Sequence, residues 1–269
     1  AELALSAGDE AAAVRDMDAA LTLGANEVLP ALTQALGRQA ERSAAVGDSE
    51  TARSATLRLA ELAQAAGDLV QSEEILFAWV DANPGDHDVL QVMRERFEAQ
   101  ERWEACGKVW ARLAQIEQGE ARAQAVLSMA AAWEKLDRGA EAIAQLKDVL
   151  AQMPKHVEVR ARLAQLLAGT GQAIEAAQLH IQMAEEEGDE AERHRLLVRA
   201  AETLLGAGGF VAAAHALEKA IALRPSERLA RGLLVDAYVG TGELERATEV
   251  LDGLLGEAKS LRAEELAAL

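Results

Sequence analysis

Side chains that could bind a metal are few in this sequence, and their spacing is unfavourable. The five histidines are His87, His156, His180, His194 and His215. None of them forms an HxxxH or HExxH pair, which is the spacing that places two imidazoles on one helix face to hold zinc. We therefore expect no metal site. His180 occupies a core slot of its helical segment, which predicts a buried, hydrogen-bonded side chain.

Motifs for a nucleophile or a phosphate are also missing. Cys106 is the only cysteine, and it occupies a slot where two helices would cross, which predicts packing and not reactivity. The Gly-Ala-Gly-Gly run at 206–209 follows no strand pattern and precedes no Lys-Ser/Thr pair, so neither nucleotide fingerprint is met. The many carboxylates are spread over helical positions and do not converge. We expect a protein that is not an enzyme, with no catalytic residue and no cofactor.

The composition limits both the fold class and the classes of partner that the chain can have. The 269 residues are 50% hydrophobic but only 3% aromatic, with four prolines, which favours an all-helical chain over a sheet. The net charge of −18 would repel nucleic acid and anionic lipid. No apolar run is long enough to insert into a membrane. Abundant Arg, Ala and Gly are typical of a high-GC bacterial genome, and we expect a cytoplasmic protein, with a periplasmic location left open.

An internal period organises most of the chain. Pro84, Pro154 and Pro225 each follow a similar apolar helical segment, and they lie 70 and 71 residues apart. Two units fit between consecutive prolines. The predicted unit starts are Arg53, His87, Ala123, Val157, His194 and Arg228. Each unit contains two amphipathic helical segments, which predicts an array of helix pairs.

Small residues recur where the two helices of a unit would cross. In the second helix they are Ser72, Cys106, Ala142, Ala176, Ala213 and Ala247. In the first helix they are Ala60, Ala130, Ala164, Ala201 and Val235, with Arg94 as the departure. Helices approach closely only where side chains are small. With this spacing the sequence resembles the tetratricopeptide repeat family. The resemblance implies an all-α fold, an α-solenoid of stacked antiparallel helix pairs wound as a right-handed superhelix.

The turn between the two helices of a unit carries a glycine in four units. These residues are Gly67, Gly171, Gly208 and Gly242. A glycine there can end one helix in the left-handed conformation before the next helix begins. Glu101 and Asp137 occupy the same slot in the other two units, which weakens the pattern there.

Both ends of the chain fit the period less well. Residues 1–52 predict irregular repeat-like helices: Gly8 and residues 13–20 indicate the turn and second helix of a preceding unit, and Val28 to Val46 indicates one long helix. Whether residues 28–52 lack a helix or are misregistered stays open. Six units then fill residues 53–258, and 259–269 is predicted as a capping or truncated helix. We expect the chain to be a segment of a longer bacterial solenoid protein.

The resemblance also implies a binding surface. In the family, positions two, five, nine and twelve of each first helix line an inner groove, and at helical spacing these positions share one stripe. The predicted partner-binding groove consists of Leu57, Glu61, Gln64, Gln91, Glu95, Glu98, Leu127, Glu134, Gln165, Val198, Glu202, Leu205, Asp236 and Val239. Acidic side chains dominate its first half, and apolar or small ones its second. Lys, Asn and Arg, which some family members use to hold a C-terminal carboxylate, are almost absent from these positions.

We therefore expect a non-catalytic scaffold that binds a protein or peptide partner. The bound segment would be basic or amphipathic, with Leu57, Leu127 and Val198 offering apolar contact and the glutamates offering charge. A solvated acidic face that only keeps the protein soluble is the competing interpretation of the groove. A regulatory or sensor domain of a larger signalling protein or enzyme is the alternative function. End-to-end self-association is a further expectation, because terminal units would expose apolar helix faces.

Overall fold

The computed structural model describes residues 10–267, with side chains from 11 to 259. Within this range the chain forms helices and no strand, which confirms the all-α prediction. The helices are α1 (Glu10–Thr22), α2 (Leu29–Ala45), α3 (Ser49–Ala65), α4 (Leu69–Ala82), α5 (His87–Ala99), α6 (Trp103–Ile116), α7 (Gly119–Glu134), α8 (Ala140–Gln152), α9 (Val157–Gly169), α10 (Ala173–Glu186), α11 (Glu190–Gly206), α12 (Phe210–Leu223), α13 (Arg228–Thr241) and α14 (Leu244–Ala267). A short 3₁₀ turn, Asn26–Val28, precedes α2.

The chain divides into two units, residues 1–117 with α1 to α6 and residues 118–269 with α7 to α14. Within each unit, consecutive helices are joined by short turns and pack as antiparallel neighbours. Helices two apart are joined by ion pairs, such as Lys147 of α8 with Glu175 of α10 at 2.7 Å. The odd-numbered helices therefore form one row and the even-numbered helices the other. We call these the odd row and the even row of each unit.

The N-terminal helices correct the sequence interpretation. Residues 13–20 lie in α1, which belongs to the odd row, because Arg58 of α3 donates from Nε to Asp18 of α1 at 2.9 Å. The prediction that these residues form a second helix was therefore wrong. The long helix predicted from Val28 is α2, which packs against both α1 and α3. No helix is missing between residues 28 and 52, whereas Gly8 lies outside the described residues.

Two kinds of linker alternate before the odd-row helices from α3 onwards. Pro84, Pro154 and Pro225 stand in the linkers before α5, α9 and α13, and a proline cannot continue the preceding helix. These three helices begin at predicted unit starts, His87, Val157 and Arg228. The linkers before α3, α7 and α11 lack proline, and these helices begin four residues before the predicted starts. The division into six units otherwise stays a prediction.

The turn between paired helices keeps one geometry whether or not it contains glycine. Gly67 and Gly208 adopt φ of 83° and 75°, in the left-handed region. Glu101 and Asp137 adopt φ of 53° and 57° at the equivalent positions. A side chain in this conformation costs roughly 1 kcal/mol. The stacking of the helices therefore imposes the turn even where the residue disfavours it.

The helix crossings are as the repeat pattern predicts. The alanines at the crossings are inaccessible to solvent, with 0% exposure for Ala60, Ala130, Ala142, Ala164, Ala176, Ala201 and Ala213. Cys106 is buried in the same kind of slot. Arg94, the departure from the pattern, is half-buried and places its guanidinium 5.4 Å from the ring centroid of Trp110. A cation–π contact thus replaces the close approach that a small residue would allow.

Candidate functional site

Two adjoining cavities open along the odd row of residues 118–269. Cavity A, of about 490 Å³, lies among α7, α9 and α11 and is lined by Gln124, Leu127, Ser128, Ala131, Glu158, Ala161, Arg162, Gln165 and Arg199. Cavity B, of about 530 Å³, lies between α11 and the start of α13 and is lined by Asp189, Ala191, Glu192, His194, Arg195, Val198, Arg199, Glu202, Arg224, Glu227 and Leu229. Because Arg199 lines both cavities, we treat them as one surface, the odd-row groove.

Cavity A combines an apolar floor with a charged rim. Leu127, Ala131 and Ala161 come from consecutive turns of α7 and from α9, and they supply apolar surface. On the rim, Arg162 of α9 binds Glu134 of α7 through a 2.6 Å ion pair. This pair joins neighbouring odd-row helices and neutralises one of the predicted groove carboxylates. Glu158 and Arg199, which also line cavity A, form no ion pair with the described residues.

Cavity B is more polar, and most of its acidic residues already have local partners. Asp189 accepts a hydrogen bond from the backbone N–H of Glu192 at 3.0 Å and so caps α11. The Glu192 carboxylate binds Arg195. Glu227 Oε2 lies 3.3 Å from Nε2 of the buried His194, although the angles at this nitrogen do not make a hydrogen bond.

Two of the three arginines of cavity B differ from the third. Arg199 and Arg224 form no ion pair with the described residues, whereas Arg195 is held by Glu192. Leu229, at the start of α13, adds an exposed apolar side chain, with 54% of its surface accessible. The groove therefore offers apolar contacts together with unpaired positive charge.

The predicted groove residues in this unit are only partly brought together. Leu127 and Gln165 line cavity A, and Val198 and Glu202 line cavity B. Val198 is a correction, because it is only 7% exposed and offers little of the apolar contact expected of it. Its side chain packs into the helix core instead. Four predicted residues line neither cavity: Glu134, which is held in its ion pair, and Leu205, Asp236 and Val239.

The predicted residues of the other unit lie on α3 and α5. Leu57 and Gln64 are half-buried. Glu61 binds Arg58 at 2.8 Å, and Gln91 donates from Nε2 to Glu95 Oε1 at 3.0 Å. Glu98 is exposed. The acidic stripe read from the sequence is therefore partly neutralised by groups on the same helices.

Sequence reasoning missed the arginines of the groove. Arg162 and Arg199 of the groove occupy position six of their predicted units, as does Arg58 on α3 of the other unit, and the predicted stripe of positions two, five, nine and twelve leaves this position out. Position six lies four residues after position two and three before position nine, so it shares their helix face. Including every position on that helix face would have predicted these arginines from the sequence. Arg224 lies before α13, in a linker that no helical stripe covers.

Burial shifts the acid–base properties of two residues outside the groove. The pKa of His180 falls to about 4, first because burial disfavours the imidazolium and second because of the positive charge of Arg199. Its Nδ1 is buried without a hydrogen-bond partner, so the predicted burial is confirmed but the predicted hydrogen bond is not found at this atom. Burial also raises the pKa of the Cys106 thiol to about 11, which keeps it protonated and unreactive.

Among the described residues, no His, Cys, Asp and Glu side chains group as metal ligands would. Within the same part of the chain, no helix has the length and apolarity needed to span a bilayer.

The fold and the groove define an α-helical repeat protein whose paired helices present an interaction surface. Residues 135–200 and 204–269 match the family model described as tetratricopeptide repeat. The chain is a tetratricopeptide repeat protein, as its crossing residues indicated, and its general role is that of a protein–protein interaction scaffold.

Comparison with curated proteins found no match. Similar solved structures include the kinesin light chain TPR-like repeats of Podosopora anserina, 20% identical, with a TM-score of 0.48 over 65% of this chain and 95% of that one. They also include MamA 41-end from Desulfovibrio magneticus RS-1, 18% identical, with a TM-score of 0.45 over 65% of this chain and 97% of that one. A further structure of MamA protein is 15% identical, with a TM-score of 0.46 over 64% of this chain and 91% of that one.

Proposed function

We propose that residues 118–269 bind an amphipathic segment of a partner protein in the odd-row groove. The observation that carries this proposal is the pair of adjoining cavities along α7, α9 and α11, which share Arg199. A segment that crosses these helices would place an apolar side chain on Leu127, Ala131 and Ala161. Its basic groups would face Glu158 and Glu202, the rim carboxylates without an ion pair among the described residues.

The apolar floor distinguishes this proposal from a merely solvated acidic face. A surface that only maintains solubility has no need of leucine and alanine side chains grouped at one cavity. Burying one leucine-sized side chain there contributes roughly 1.5–3 kcal/mol to binding before ordering costs. Electrostatics would act mainly on the rate of encounter, since the net charge of −18 attracts a basic segment over distance and salt screens that attraction.

The test uses the full chain and an array of amidated amphipathic peptides of about 15 residues, a length that spans several turns of helix. Each peptide carries leucine at helical spacing, and the flanking polar positions vary among Lys, Glu and Gln. The tightest binders are then measured by fluorescence anisotropy on the wild-type protein and on a double variant, Ala131→Gln with Ala161→Gln. Glutamine fills the floor without changing the charge.

Ala144→Gln is the matched control, because Ala144 is an exposed alanine on the even-row helix α8 of the same unit. We expect the double variant to weaken binding about tenfold or more, and the control to leave it unchanged. If no peptide binds, or if the double variant binds as tightly as the control, the groove is not the binding surface.

A further inference from the structure

Cavity B contains two arginines that have no ion pair with the described residues. Among its acidic residues, Asp189 caps α11, Glu192 holds Arg195, and Glu227 lies beside His194. The charged groups left without such partners among the described residues are Glu202, Arg199 and Arg224. The lining holds four carboxylates and three guanidinium groups in all, so the cavity as a whole is not positive, and the two free arginines are a local feature within it.

Other arginines of the same groove do have acidic partners, in contrast to Arg199 and Arg224. Arg162 lies on the same odd row and binds Glu134 of the neighbouring helix at 2.6 Å. Arg195, one turn before Arg199 on α11, binds Glu192. Acidic partners are available along this row, yet none is positioned at Arg199 or Arg224. A guanidinium presents a planar fork of donors that matches a carboxylate, so the two free forks are suited to an acidic ligand group.

We infer that cavity B binds an aspartate or glutamate side chain of the partner segment through Arg199 and Arg224. This inference rests on the proposed function and assigns the charge that the bound segment carries at one position. The segment would also place an apolar residue against Leu229, which is exposed at the same cavity. The acidic residue fixes how the segment lies along the groove, because only one part of the groove offers free arginines.

The carboxylate that binds Arg199 and Arg224 would come from a side chain of the partner segment and not from its C-terminus. Arg199 lines cavity A as well as cavity B, so the groove continues past the arginines. A segment that also contacts the apolar floor of cavity A therefore runs on beyond Arg199. A side chain that projects from a continuing segment can reach both arginines without ending there.

The experiment compares two amidated peptides that differ only in having Glu or Gln at the position that faces cavity B. Both are measured on the wild-type chain, Arg199→Gln, Arg224→Gln and the control Arg138→Gln, which removes the same charge next to α8. We expect the Glu peptide to bind wild type about three- to tenfold more tightly. The preference should persist in the control and disappear in both groove variants.

The possible outcomes distinguish failure of the acidic contact from failure of the proposed groove. Equal binding of the two peptides, still weakened by the Ala131→Gln and Ala161→Gln pair, overturns the acidic contact and leaves the proposed groove intact. A free-acid Gln peptide that matches the amidated Glu peptide would also overturn the side-chain assignment, since a chain terminus would then satisfy the arginines. The absence of peptide binding, or indifference to the floor variants, overturns the groove itself.

A second readout reports on Arg199 without relying on affinity. The charge of Arg199 lowers the pKa of the buried His180, so a carboxylate bound to Arg199 should raise that pKa. We expect the NMR titration of His180 to move to higher pH with saturating Glu peptide and to stay in place with saturating Gln peptide. An unchanged His180 titration with both peptides would contradict contact at Arg199.

Discussion

Replacing His180 by leucine is expected to stabilise the protein and to flatten its response to acid. His180 is 5% exposed on α10, and its buried Nδ1 has no hydrogen-bond partner. The equivalent residues on α4, α8 and α12 are Leu76, Leu146 and Leu217, all with 0% exposure. The substitution therefore installs the residue that α4, α8 and α12 already use. Removing an unsatisfied buried polar atom should stabilise the fold by roughly 1–3 kcal/mol at neutral pH.

The pH dependence follows from the lowered pKa of His180. In the unfolded chain the histidine binds a proton near its ordinary pKa of 6.5, whereas in the folded chain it does so near a pKa of about 4. The unfolded state therefore binds more protons as the pH falls below 6.5, and the fold loses stability down to about pH 4. The loss attributable to His180 over this interval is about 3 kcal/mol.

The assay is urea unfolding followed by circular dichroism, for wild type and His180→Leu, at about pH 7.5 and about pH 4.5. Carboxylates also titrate over this interval, so the informative quantity is the difference between the two proteins. We expect wild type to lose about 2–3 kcal/mol more than the variant on acidification. His215→Gln is the control, since it removes an exposed histidine of the same unit. Equal acid sensitivity of wild type and His180→Leu would refute the reasoning.

Three further predictions concern a close packing contact, a strained turn and a buried thiol. Gly240→Ala should destabilise the protein by roughly 1–3 kcal/mol in urea unfolding, because its Cβ would lie 2.3 Å from the ring of Phe210. Gly232→Ala on the same helix meets no atom within 4 Å and should instead be neutral or stabilising; equal effects of the two would contradict the packing. Glu101→Gly should raise stability by about 0.5–1 kcal/mol by relieving a left-handed φ of 53°, and a loss of stability would show that the side chain makes an essential contact. The Cys106 thiol, with its pKa raised to about 11, should react with a disulfide reagent only after urea unfolding; rapid labelling of the folded protein would contradict its burial.

Much of the fold could be predicted because the repeat leaves a pattern at fixed offsets. Small residues at helix crossings, such as Ala130 and Ala213, are required wherever two helices approach closely, so the sequence displays them directly. The turns were harder to predict, because Glu101 and Asp137 adopt the glycine geometry without being glycine. The first hairpin was misassigned because the period was aligned on prolines, and residues 1–52 contain only one proline, inside α2.

The groove was less predictable than the fold, for two physical reasons. Exposed acidic residues signal charge but not pairing, and pairing depends on the neighbouring helix: Glu134 is neutralised by Arg162, which is 28 residues away in sequence. Exposure is also a tertiary property. Val198 occupies a stripe position on α11, yet it is buried by its surroundings. Arg224 enters the groove from a linker, where helical periodicity gives no guidance.

The most direct measurement of the central claim is site-specific photo-crosslinking to a bound peptide from two alanines of the same unit. A photoreactive side chain is placed at Ala131, on the floor of cavity A, or at Ala144, exposed on the even row. The account predicts that the tightest-binding amphipathic peptide cross-links from position 131 and not from position 144. Cross-linking from position 144 alone, or equally from both positions, would contradict binding in the odd-row groove.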